Sequence, residues 1–358
     1  MTKGIAHESS EDYFFEGPVD PQGTDSIRSS RRTWGLYTLI QATAWNHMET
    51  LNMNGLYGYH RPSGDQTTLV LTHADRGIKV CGHNQLVGNV FLPTASVERA
   101  YIENQSFVGK TMVEGNVFEL GHGSSISSCS ASEYLRTIEA IGTKEGLTIE
   151  DIPLEMIRSF SDEPVWFFGR DSLALVGHTL TGQIGIWSDG PVSLIDCSVD
   201  QIWVIAPKIY VSTSQPSSGH FWATEELVIR EGTVLEYPSS ALLCRKMRDE
   251  DVQIRVEGSV EFEGPVVLLD EDPGKGRGII DLQSGSKVTG QVIAQGKVSL
   301  NGEVHGVVRA RNALLKTPSS VYVNHLLNSI TDVTLLPGSY CGVQETLDEN
   351  ELVLVKEL

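Results

Sequence analysis

The sequence predicts a mainly β protein: a single-stranded β-helix (a β-solenoid) with coils of about 16–18 residues, carrying a few short helical segments. Three observations predict it. The first is alternation. Val288, Gly290, Val292, Ala294, Gly296, Val298 and Leu300 occupy every second position, and in an extended chain they all face one way. The second is a repeat. Sixteen residues separate Val288 from Val304, Gly290 from Gly306, Val292 from Val308 and Ala294 from Ala310. Upstream, Leu175, Val192, Ile209 and Leu227 step by 17, 17 and 18, and Leu194, Val211 and Ile229 by 17 and 18. The third is glycine, 35 of 358 residues, many of them inside the alternating runs where a tight bend or a close approach needs a small residue. One coil cannot bury its apolar row alone, whereas stacked coils make a continuous core. An antiparallel sandwich also produces short alternating strands, but it does not require the aligned spacing.

The elements follow in order. Residues 1–32 read as a polar leader ending in Ser29, Ser30, Arg31 and Arg32. Residues 33–53 read as an amphipathic helix, because Trp34, Tyr37, Trp45, Met48 and Leu51 fall near helical spacing. Residues 54–130 are a β-rich N-terminal part and a candidate for the first coils. Residues 131–164 read as a helical insertion, with Pro153 suited to a first helical turn. The solenoid is assigned to 165–343, with 237–250 and 270–278 as loops that break the period, and 344–358 is an acidic C-terminal tail.

Charge narrows the function. Lys plus Arg number 27 and Asp plus Glu 46, a net charge of −19. A nucleic-acid partner is therefore not expected, since counterion release needs cations against phosphates. The five cysteines, Cys81, Cys129, Cys197, Cys244 and Cys341, are widely spaced and form no CxxC pair. Mostly buried single thiols are the expectation, with no metal or other cofactor. No window reaches the roughly 18 apolar residues that span a bilayer.

Candidate chemistry is thin, and no catalytic, cofactor-binding or metal residue is assigned. His83, His178 and His305 sit beside glycines and read as turn residues rather than bases. The acidic run Asp270, Glu271 and Asp272 lacks the alternating pattern of a calcium loop and reads as a solvated turn. The glycine-rich stretch 274–278 does not match a phosphate-binding loop. Leu86-Val87-Gly88, Phe107-Val108-Gly109 and Leu175-Val176-Gly177 echo the steps of hexapeptide acyltransferases, but the drifting period does not suit them. Trp187 and Trp203 lie beside inward-predicted Ile186 and Val204, so alternation turns both outward onto a binding or packing surface.

The run 285–310, GSKVTGQVIAQGKVSLNGEVHGVVRA, resembles bactofilins, the polymer-forming bacterial cytoskeletal proteins with a right-handed β-helix. Longer stretches, Trp34-Gly35-Leu36-Tyr37, 82–93, Ala223-Thr224-Glu225, Tyr237-Pro238-Ser239 and 322–330 followed by Leu336-Pro337, resemble uncharacterised envelope-associated proteins of Bacteroidota. These usually start with a membrane-spanning helix and have no assigned activity. The resemblance implies a non-enzymatic structural or scaffold protein of the bacterial cell envelope, on the periplasmic side of the inner membrane, with a cytoplasmic location as the alternative. Its expected partners are proteins or further copies of itself, and a polysaccharide. Membrane attachment is expected only through an N-terminal anchor absent from this chain. A carbohydrate-binding or carbohydrate-active β-helix is the first alternative function and a hexapeptide-type acyltransferase the second.

Overall fold

The computed structural model describes residues 5–8, 13–18, 25–62, 64–121, 126, 129–246, 251–345 and 351–358. Its N-terminal part is an antiparallel sheet. Strands Ile5–Glu8, Tyr13–Pro18, Ser26–Trp34, Tyr37–Trp45 and Thr50–His60 pair in chain order. Two C-terminal strands, Cys341–Gly342 and Leu352–Glu357, then pair with Thr50–His60. The helix expected over 33–53 is therefore corrected to strands. Aromatic and β-branched residues suit a pleated surface, and Gly35, at φ +60°, opens a two-residue turn that pairs Trp34 with Tyr37. The apparent helical stripe arose because this turn and the one at 46–49 shift the alternation. Met48 in the second turn and Leu51 at the start of strand Thr50–His60 are 92% and 69% exposed, so they belong to no packing face.

The flanking expectations change with it. Three of the strands, Ile5–Glu8, Tyr13–Pro18 and Ser26–Trp34, lie in or begin in the polar leader; residues 1–4, 9–12 and 19–24 of that leader lie outside the described residues. The acidic tail contains strand Leu352–Glu357, and its residues 346–350 lie outside the described residues. In the expected helical insertion, only Ala131–Gly142 is an α-helix. Its Leu135, Ile138 and Ile141 form one buried face. Glu155–Arg158, beyond Pro153, is instead a strand paired with Thr179–Gly182.

The larger sheet is parallel, and its strand pairing closes on itself as a barrel. This corrects the single-stranded β-helix expected over 165–343. Chain order is not sheet order. Val308, Arg309 and Ala310 pair with Leu69, Val70 and Leu71, and Ile330–Asp332 pairs with Gln85–Val87, so N-terminal strands complete the sheet beside C-terminal ones. Nor is one coil length kept. Leu227 pairs with Ile254 and Ile254 with Ile280, at intervals of 27 and 26 residues. The sequence spacing reports the register of neighbouring strands, and register does not determine how a sheet closes.

Where neighbours are concerned, the spacing is physical. Val288 pairs with Val304, Gly290 with Gly306, Val292 with Val308 and Ala294 with Ala310. At Gly306, φ is +153° and an added Cβ would strike the carbonyl oxygen of Gly290 on the next strand, and at Gly290, φ +148°, one would strike the carbonyl oxygen of Gly264, so both positions need glycine. Leu173, not Leu175, pairs with Val192, and Leu175 pairs with Leu194. The expected loop 237–250 contains Ser240–Arg245, a strand buried at every position between Gly219–Ile229 and Val266–Asp270. Residues 247–250 lie outside the described residues.

Two cores result. Inward side chains such as Ile186, Val204, Phe221, Val266, Val292 and Val308 fill the interior of the parallel sheet. A second core forms on its outer face, where Trp203, Trp222, Leu242, Val267 and Ile293 meet Trp34, Leu39 and Leu56 of the antiparallel sheet and Leu135 and Ile138 of the helix. Strands buried on both faces explain the nearly unbroken apolar runs of 202–206 and 266–269.

Candidate binding groove

The outer face has a covered part and an open part. Trp203 and Trp222 point outward, as alternation predicts, but they are 2% and 0% exposed. Their rings pack edge to face at 4.7 Å, Trp34 meets Trp203 at 5.5 Å, and Tyr134 of the helix meets Trp222 at 5.3 Å. Trp187 and Trp166 are half-buried at the rim of this cluster. The aromatic face is thus a packing surface sealed by the chain itself.

The open part lies further along the same strands. Ile202–Thr213, Gly219–Ile229, Gln253–Val256, Ile279–Leu282, Lys287–Leu300 and Glu303–Lys316 run side by side. Register aligns Lys208, Glu226, Gln253, Ile279, Lys297 and Asn312 across them. Their inward neighbours Ile209, Leu227, Ile254, Ile280 and Val298 are fully buried, so alternation turns this row to the surface. At roughly 4.8 Å per strand the row is about 24 Å long. From Lys208 to Lys297 it floors a groove of about 510 Å³, which Glu225, Asp251, Arg277 and Lys316 also line. A second hollow of about 320 Å³ adjoins it through Glu225 and Val252.

The groove is electrically polarised. Glu225, Glu226 and Asp251 lie toward the Lys208 end, and Arg277, Lys297 and Lys316 toward the other. Tyr210 donates to Glu226 Oε2 at 2.8 Å and Gln253 to Oε1 at 2.6 Å. Partial burial opposes ionisation of Glu226, but these two hydrogen bonds and the charges of Arg255 and Lys208 outweigh it and hold the carboxyl below its ordinary range. Burial and the bond to Glu226 push the Tyr210 phenol up. Lys208 stands 3.9 Å from Glu225. Lys297 and Lys316 have no carboxylate partner among the described residues. Chemically this arrangement can bind. Glu226 is a poor general base, because its proton affinity is lowered and both oxygens already accept a hydrogen bond.

The three turn histidines are not brought together. His83 donates its backbone N–H to Asn328, His178 approaches the Val176 carbonyl at 3.2 Å, and His305 approaches Glu303 at 3.3 Å. The acidic run is not a wholly solvated turn. Asp270 is buried at a strand end, where Arg245 pairs with it at 2.7 Å, while Asp272 pairs with Lys275 at 3.1 Å. In the glycine-rich stretch 274–278, Arg277 lines the groove. Among the described residues, no three His, Cys, Asp or Glu side chains are grouped to hold a metal ion, and no helix is long and apolar enough to cross a membrane.

Sequence reasoning missed the groove, and it also missed a buried histidine. His220 lies beneath Tyr37 with ring centres 5.7 Å apart, and its nitrogens meet Ser240 at 2.9 Å and Gln201 at 3.2 Å. Burial pulls its pKa down to about 3, Lys356 adding to the effect and Asp200 opposing it. Its position beside the apolar triplet Phe221, Trp222 and Ala223 was the available signal.

No family model matches the chain, and no curated protein matches it. Among solved structures, the crystal structure of competence-associated pilin ComZ from Thermus thermophilus is similar at a TM-score of 0.22 and 8% identity, over 100% of this chain and 88% of that one. No shared fold follows from a likeness at that level.

Proposed function

We propose that this chain is a non-enzymatic structural or scaffold protein of the bacterial cell envelope that presents a rigid β framework to protein partners or to further copies of itself. The observation that carries the reading is where the strongly shifted ionisable groups lie. Tyr37, Tyr134, Tyr340, Cys244 and His220 are moved furthest, each chiefly by burial, and each is locked in packing. The shifted carboxyls Asp65, Glu103, Asp200 and Glu226 move down, as ion pairs and hydrogen bonds dictate, rather than up toward an acid–base role. The resemblance of 82–93 and 322–330 to envelope-associated proteins of Bacteroidota supports an envelope role for such a framework. The test is cross-linking of the tagged protein in a Bacteroidota host, followed by fractionation. Envelope recovery with cross-links to itself or to envelope proteins is the expected result. An uncross-linked cytosolic monomer, or turnover of an acidic polysaccharide or acyl donor by the purified protein, overturns the reading.

A further inference from the structure

We propose that the groove between Lys208 and Lys316 binds an acidic polysaccharide of uronic acid units, with sugar carboxylates on Arg277, Lys297 and Lys316 and sugar hydroxyls on Glu226, Asp251 and Gln253. The site is independent of whether the protein assembles into a scaffold. In a chain of net charge −19, a groove end with three cations, two of them lacking a carboxylate partner among the described residues, is a local reversal of the overall field. Ammonium and guanidinium groups bind carboxylates through charge-assisted hydrogen bonds. The opposite end is acidic. A carboxylate has about four acceptor positions on its two oxygens. Glu226 therefore keeps capacity for hydroxyl donors after accepting from Tyr210 and Gln253.

One ligand class uses both ends. A uronic acid polymer carries a carboxylate and several hydroxyls on every unit, so hydroxyls donate at the acidic end while carboxylates pair at the basic end. A polyphosphate carries its charge on the linkage itself and offers no hydroxyl to Glu226 or Asp251, whereas a uronic acid unit over the acidic end can turn its hydroxyls inward and its carboxylate to solvent. A neutral glycan leaves Lys297 and Lys316 unused. A peptide needs side-chain pockets, and the apolar lining is limited to Val252, Ile279 and Leu314. The volume of about 510 Å³ suits a ligand site, and the row of strands gives an extended track for a chain of sugars.

The experiment is isothermal titration of the full chain with hexagalacturonate, maltohexaose and inorganic polyphosphate. Lys297→Glu with Lys316→Glu is the principal variant and Lys316→Glu alone the second. Both lysines lie at the surface, and circular dichroism verifies that each variant is folded. The expected result is hexagalacturonate binding that weakens with salt, and no maltohexaose binding. Polyphosphate binding should be at least tenfold weaker. Affinity for hexagalacturonate should fall about 10-fold for the single variant and about 100-fold for the double, the scale of one charge-assisted hydrogen bond per lysine. No hexagalacturonate binding, equal binding by the folded double variant, or polyphosphate binding as tight as hexagalacturonate overturns the proposal.

Discussion

Lowering the pH from 7 to 5 should destabilise this protein by about 2 kcal/mol through His220 alone. In the folded chain the imidazole is fully buried, held between Ser240 and Gln201, and its pKa is pulled to about 3. In the unfolded chain it returns to about 6.5. Between these values the unfolded state takes up a proton that the folded state refuses. The unfolded state thus binds more protons, and stability falls as pH falls. The slope is about 1.4 kcal/mol per pH unit below about 6.5, and the full loss is roughly 5 kcal/mol near pH 3. The carboxyls Asp65, Asp200 and Glu226 are held below their ordinary range. Their contributions are lost only at about pH 4 and lower, below the tested window. The assay is urea unfolding followed by tryptophan fluorescence at pH 7, 6 and 5. The comparison is with His220→Gln, which has an amide in place of the imidazole and does not titrate. His73, also shifted down, is present in both proteins and cancels. The wild type should lose about 2 kcal/mol more than the variant. Equal losses in the two proteins would refute the reasoning.

Three further outcomes follow from packing. Trp222→Ala removes a fully buried ring from the outer core, and thermal or urea unfolding should show a loss of about 3–5 kcal/mol with a weakened near-ultraviolet dichroism signal. Glu345 is buried and takes Arg309 at 2.8 Å, Gln291 at 2.7 Å and Arg61 at 3.5 Å. Glu345→Ala strands Arg309, while Arg61 keeps Asp65 at 2.7 Å, and should cost about 3–5 kcal/mol in the same assay. Cys81, Cys197, Cys244 and Cys341 are buried, and burial pushes each thiol up. A thiol-labelling reagent at pH 8 should therefore modify only the half-buried Cys129 of the folded chain, and the other four only after unfolding. Rapid native labelling of any of the four would contradict this.

The groove was the least legible feature. Lys208, Glu226, Gln253, Ile279, Lys297 and Asn312 come from six strands, and none belongs to a motif. Only the register of strands with unequal intervals brings them into one row. The same limit explains why binding and packing stayed open for the tryptophans. Alternation correctly turns Trp203 outward, but it carries no information about the antiparallel sheet and helix that cover it. Asp270 was misread for a related reason. An acidic triplet before Pro273 and Gly274 reads as a solvated turn until Arg245 arrives from the neighbouring strand.

By itself the sequence determined what depends on near neighbours. The β class follows from alternation, the glycine pair Gly290 and Gly306 from close strand approach, and the register of Val288 on Val304 from a spacing of sixteen. Each is set by pleat, backbone clearance and side-chain stacking within about 5 Å. Tertiary structure alone decided what depends on distant segments: closure of the sheet through Leu69 and Val308, conversion of 33–53 into strands of an antiparallel sheet, and docking of Leu352–Glu357 on Thr50–His60. The local pattern states which faces must be buried. Which distant surface buries them is settled by a free-energy balance over the whole chain, because any apolar face of suitable shape satisfies the same local demand.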